Sequence, residues 1–132
     1  MHAFAVTVYY EDTDMGGIVY HANWLKFVER ARSDLVRGLG IDQNAMREAG
    51  RVFAVTHLDA TFRAPARLDD RLTVTTEAVE ATGARLVLDQ RVTHDDTGRL
   101  CFAARVTLAC IGTDGRPARL PAELRSRLVP QV

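Results

Sequence analysis

Lysine, cysteine and net charge are all scarce in this 132-residue chain. Seventeen basic residues balance seventeen acidic ones, which argues against recognition of nucleic acid or an anionic membrane by bulk charge. Lys26 is the only lysine, a bias that carries no functional weight by itself. The two cysteines, Cys101 and Cys110, are nine apart in one predicted strand. An odd offset puts them on opposite faces, so no mutual disulfide is expected. Reduced thiols suit a cytoplasmic protein. No run of about 18 apolar residues exists to span a membrane. Met1 to Tyr9 alternates instead of placing a basic region before an apolar block, so no secretory signal is expected. A Gly-x-Ser-x-Gly elbow is also missing, which leaves a serine-triad hydrolase unsupported. His2, His57 and His94 have no ligand spacing with the cysteines, so no metal is expected.

What remains is a chain that is 47% hydrophobic, enough for a core, and of a length that fits one domain over residues 1–132. Residues Phe4 to Glu11 alternate and read as a strand. Trp24, Phe27, Val28, Ala31, Leu35 and Leu39 recur at three- and four-residue steps. They predict an amphipathic helix from about Ala22 to Leu39. A short helix near Asp42 to Glu48 follows, then strands near Val52 to Arg63, Arg71 to Ala81, Ala84 to His94 and Leu100 to Ile111. The breakers between these strands favour sequential antiparallel pairing. A helical turn is expected within Pro121 to Leu128. The class is α+β, one long helix packed on an antiparallel sheet.

The densest chemistry lies in Tyr10-Glu11-Asp12-Thr13-Asp14-Met15-Gly16-Gly17-Ile18-Val19-Tyr20-His21-Ala22-Asn23, between the first strand and the long helix. A helix N-terminus carries unpaired N–H groups and partial positive charge. An acid and a histidine delivered there suit chemistry that makes an oxyanion. Taken alone, Asp-x-Asp before Gly-Gly is more often a turn or a capping carboxylate than a catalyst, and Asp12 is read as a buttress of the loop. A calcium loop starting at Asp12 would put Gly17 at its glycine position, but its twelfth residue is Asn23, not a bidentate glutamate. Glu29 is read as pairing with Arg30, Arg32 or a neighbouring strand.

The run from Tyr10 to Asn23, together with Phe27-Val28-Glu29-Arg30-Ala31-Arg32, Phe62-Arg63-Ala64-Pro65-Ala66-Arg67-Leu68-Asp69-Asp70 and Gln90-Arg91-Val92, closely resembles the hotdog-fold acyl-CoA thioesterases. It is most similar to the 4-hydroxybenzoyl-CoA thioesterase family, in its Tol-Pal-associated branch. The resemblance covers about Val6 to Leu124 and implies a five-stranded antiparallel sheet wrapped around the long helix. It also implies a homo-oligomer, dimer or tetramer, with active sites at subunit interfaces. By the same resemblance Asp14 is the catalytic carboxylate, acting as nucleophile or as general base. His21 lies at the helix mouth, where its backbone N–H and side chain polarise the carbonyl. Gly16 and Gly17 admit the backbone to the carbonyl. Tyr20, Trp24 and Phe62 are candidate substrate contacts, with Trp24 standing where relatives often have tyrosine. Arg85, in the Thr82 to Arg85 turn, matches a region that binds the nucleotide end of coenzyme A; Arg63 and Arg91 are further candidates from charge. The expected partner is an acyl-CoA substrate, with coenzyme A as part of that substrate and no separate cofactor.

Two other readings compete. One is a hydratase or dehydratase acting on acyl thioesters, which also uses a histidine and an acid. The other is a non-catalytic acyl-CoA-binding or interaction module. The acyl group is not legible: Phe53, Val55 and Phe62 are candidate pocket walls, and alternation alone does not say which face meets the ligand.

Overall fold

The computed structural model describes residues 1–128. Strand β1 (His2–Thr7) leads through a 3-10 turn at Tyr10–Asp12 to helix α1 (Asn23–Gly38) and the short α2 (Gln43–Glu48). Strands β2 (Arg51–Phe62), β3 (Arg71–Ala81), β4 (Leu86–His94) and β5 (Leu100–Gly112) follow, then the two-residue β6 (Pro117–Ala118) and α3 (Ala122–Arg127). The apolar stripe of α1 is buried as its spacing predicts, with Trp24, Phe27, Val28, Ala31 and Leu35 inside and Leu39 partly so. It rests on the inward residues of β3, β4 and β5, among them Leu72, Val74, Leu88, Val92, Phe102 and Val106. Alternation along those strands leaves Thr73, Thr75, Asp89, Arg91 and Arg105 outside the core.

The strand order is β1-β3-β4-β5-β2, antiparallel throughout, with β6 beside β5. Sequential pairing therefore holds for β3–β4 and β4–β5 but not for β2–β3. The reason lies in α1. A helix with one broad apolar stripe must cross the sheet face to bury it, so the chain leaves β1 at one edge and enters β2 at the other. β1 ends at Thr7, not at Glu11. Val8 N–H donates to the Asp70 carbonyl, and the buried Asp12 carboxylate accepts the Tyr9 N–H at 2.8 Å, curling the chain into the 3-10 turn.

The odd offset of the cysteines also fails to separate them. β4 and β5 slip register, with Val92 facing Phe102 and Thr93 facing Leu100. Cys101 is thus the extra residue of a bulge, which re-aims its side chain. Both thiols are free and buried, and burial pushes both pKa values up, the signature of inert structural cysteines.

Between helix and sheet lies one buried polar knot. Gln90 Nε2 donates to the Val28 carbonyl (2.9 Å) and to Thr76 Oγ1 (3.0 Å), while Arg32 Nη1 donates to Gln90 Oε1 (3.0 Å). These bonds fix the axial position of α1 on the sheet. At α2 the Asp42 carboxylate caps the Asn44 and Ala45 N–H groups. Asp42→Ala is expected to lose about 1 kcal/mol in urea unfolding, with the denaturant slope unchanged.

Candidate active site

The loop from Thr13 to Val19 is a small hairpin pinned on all sides. Thr13 bridges to Val19 and Ile18 bridges to Arg67. Asp14 N–H donates to the Ile18 carbonyl at 2.9 Å, and Val19 N–H to Ala66 at 2.8 Å. The Asp12 carbonyl accepts both the Tyr20 N–H (2.9 Å) and Asn23 Nδ2 (2.9 Å). One carbonyl therefore ties the loop to the first residue of α1. Asp12 stands as the buttress expected, while Asn23, buried and essential to this tie, carried no signal beyond its place at a helix start.

Asp14 sits at the hairpin tip, exposed, with its Oδ1 accepting the Gly16 N–H at 2.8 Å. No cation pairs with it among the described residues. A Cβ on Gly16 would stand 3.1 Å from that same oxygen, and Gly17 has φ +77°. The two glycines thus have separate uses: one leaves room for the carboxylate, the other takes a left-handed turn. A β-branched residue at position 17 would strain the backbone by about 1–2 kcal/mol. Gly17→Val is expected to lower the melting temperature and turnover together, checked by thermal unfolding beside a thiol-release assay.

A groove of about 610 Å³ opens at Asp14, walled by Tyr10, Thr13, Met15, Gly17 and Leu68. His21 does not line it. His21 is exposed, its ring 4.5 Å from Tyr20 and 6.3 Å edge-on from Phe62. Its backbone N–H and that of Ala22 have no acceptor among the described residues, and α1 begins with no side-chain cap. Those N–H groups are available to a developing oxyanion. Trp24 is interior, stacked at 5.7 Å on Phe102 and edge-on to Phe27. Phe102 in turn touches the exposed Phe62 at 5.2 Å.

The arginine candidates are dispersed. Arg63 is exposed just past β2, and Arg91 shares a shallow groove on the outer sheet face with Asp59, Asp89 and Arg105. There Arg105 holds the Asp89 carboxylate in a two-point pair of 2.7 and 2.8 Å and lowers its pKa. Arg85 pairs with Glu80 (2.9 Å) at the β3–β4 turn, the end of β3 away from Asp70 and the Asp14 hairpin. Sequence reasoning missed Arg119, whose guanidinium lies over Gly83 in that turn, so close that a Cβ on Gly83 would meet it at 2.7 Å. The two residues are too far apart in the chain for any local pattern to join them. Among the described residues no group of three or more His, Cys, Asp or Glu is placed to hold a metal ion, and no helix is long and apolar enough to cross a membrane.

Comparison with known proteins places the family and the fold. The family model of the thioesterase-like superfamily matches residues 8–128. The acyl-CoA thioesterase YbgC of Haemophilus influenzae is 38% identical over 126 residues, covering 94% of this chain and 91% of that protein. A 1,4-dihydroxy-2-naphthoyl-CoA hydrolase of Thermosynechococcus vestitus is 30% identical over 126 residues, 91% of this chain and 86% of its own length. The crystal structure of a 1,4-dihydroxy-2-naphthoyl-CoA thioesterase from Synechocystis superposes with a TM-score of 0.89 over 95% of this chain and 93% of that one. At 23% identity, that last likeness speaks to the fold alone.

Proposed function

The chain belongs to the thioesterase-like superfamily and hydrolyses acyl-CoA thioesters, and from that premise we propose that Asp14 is the carboxylate that does the chemistry. One observation carries the proposal: a carboxylate with no cationic partner among the described residues, held by Gly16 N–H at the tip of a pinned hairpin and facing a groove of its own. Either route suits a thioester. As general base, Asp14 takes a proton from water while the water oxygen attacks the carbonyl carbon. As nucleophile, it forms an anhydride that water then opens. In both, the C–S bond breaks, the thiolate leaves and is protonated, and the oxyanion accepts from the His21 backbone N–H.

The whole of residues 1–132 acts as one domain, and its unit is a homo-oligomer built on β2. That strand is a free sheet edge of 12 residues carrying exposed Val52, Val55, Leu58 and Phe62. A long apolar edge is prone to pair with another chain, and a second β2 is its natural cover. Antiparallel pairing about the middle of β2 sets the Arg51 end of one copy beside the Phe62 end of the other. The partner's Arg85 and Arg119 then approach the side of the molecule where Asp14 and His21 lie, which suits the phosphates of coenzyme A. The working compartment is the cytoplasm, where acyl-CoA is plentiful.

The test is product chemistry. Crotonyl-CoA should release its thiol, read with a thiol reagent. Loss of the conjugated absorbance without thiol release would identify a hydratase instead. Tight acyl-CoA binding with neither change would identify a binding module.

A further inference from the structure

The segment Ala66 to Asp70, between β2 and β3, grips the chain on both sides of the Asp14 hairpin. Before the hairpin, where β1 runs out, Val8 N–H donates to the Asp70 carbonyl and Asp69 N–H donates to the Val8 carbonyl, both at 2.9 Å. After it, Val19 N–H donates to the Ala66 carbonyl at 2.8 Å, and Ile18 bridges to Arg67. The same segment supplies Leu68 to the groove at Asp14. Its backbone is not relaxed. Asp69 has φ +71°, the only left-handed non-glycine residue among the described residues. Such a conformation persists where surrounding contacts fix it.

One fixing contact is internal, the Asp70 Oδ2 accepting the Arg67 N–H at 2.8 Å. The other comes from His94, the last residue of β4, whose side chain is nearly buried. Its Nδ1 accepts the N–H groups of Asp96 (3.2 Å) and Thr97 (3.3 Å) in the β4–β5 turn. A ring nitrogen that accepts carries no proton, so the proton is on Nε2. That nitrogen stands 3.3 Å from Asp70 Oδ1. One imidazole therefore joins the β4–β5 turn to the segment that grips the hairpin.

We propose that His94 and Asp70 are positioning residues for the hydrolysis: through residues 66–70 they set where the Asp14 carboxylate stands relative to the start of α1. This rests on the reading of Asp14 given above. Neither side chain lines the groove, so both act through the backbone at Val8, Ile18 and Val19. Misplacing a reacting group by about 1 Å can cost about two orders of magnitude in rate. Loss of one tie among several should cost less, about tenfold in kcat.

Two substitutions divide the imidazole. In His94→Gln the amide N–H takes the place of Nε2, keeping the contact with Asp70 and giving up the turn. In His94→Asn the amide oxygen takes the place of Nδ1, keeping the Asp96 and Thr97 N–H groups and giving up Asp70. Both should lower the melting temperature. Only His94→Asn should lower kcat for benzoyl-CoA, by about tenfold with KM within about twofold, and speed amide exchange at Asp14 and Val19. His94→Gln should keep kcat within about twofold of wild type. Asp70→Asn has one oxygen where the carboxylate uses two, and should match His94→Asn. The double variant His94→Asn/Asp70→Asn should lose no more than either alone. A kcat that falls alike in His94→Gln and His94→Asn, following stability, would reduce the pair to a structural role and overturn the proposal. Wild-type kcat and exchange in both His94→Asn and Asp70→Asn would overturn it too. An Asp14→Asn protein that retains turnover would instead sink the reading of Asp14, while exchange at Val19 would still report on the grip of residues 66–70.

Discussion

Asp14→Asn should leave the protein folded and reduce kcat for acyl-CoA hydrolysis by about three orders of magnitude, the middle of the range for loss of a general base. The side chains are the same size, so the Gly16 N–H can still bond to the amide oxygen and the hairpin keeps its shape. Asp14 is exposed and makes no ion pair among the described residues, so stability has little to lose. What disappears is the negative oxygen that takes a proton or attacks carbon. KM should move far less than kcat, because the groove walls at Tyr10, Met15 and Leu68 are untouched. Steady-state thiol release with circular dichroism on the same samples gives both numbers. A variant within a few-fold of wild type would remove Asp14 from the chemistry.

The largest structural effect is expected from Phe102→Ala. Phe102 is fully buried, stacks under Trp24 and supports Phe62 from below. Removing the ring opens a cavity between α1 and β5, and large-to-small changes of this kind cost about 3–5 kcal/mol. That is a large share of the stability of a single domain. The effect should also reach the site, because Phe62 lies against His21 and loses its support. Urea unfolding should show an earlier midpoint, and the residual folded fraction should turn over more slowly per molecule. A loss under 1 kcal/mol would mean that Trp24 closes over the gap.

Much of this fold is legible in the amino-acid sequence. The stripe of α1 and the alternation of β3 mark their own burial, because apolar spacing is a direct record of which face meets the core. The local shape of the hairpin was legible too, since Asp14, Gly16 and Gly17 are close in the chain. Strand order was not: it depends on where α1 sets β2 down, and no local pattern in residues 51–62 names β5 as the neighbour. The bulge at Cys101 was equally hidden, since one inserted residue reverses the parity on which the reading of faces rests. Arg119 over Gly83 and Asn23 under Asp12 are tertiary meetings. They follow from the fold and not from spacing.

The roles of Asp14 in binding and in chemistry can be separated in a single turnover. Asp14→Asn in excess is mixed with benzoyl-CoA, and bound thioester and free thiol are followed together. The account predicts a complex that forms as in wild type and keeps its thioester intact, with thiol release slower by about three orders of magnitude. Thiol appearing at the wild-type rate from that complex would contradict it.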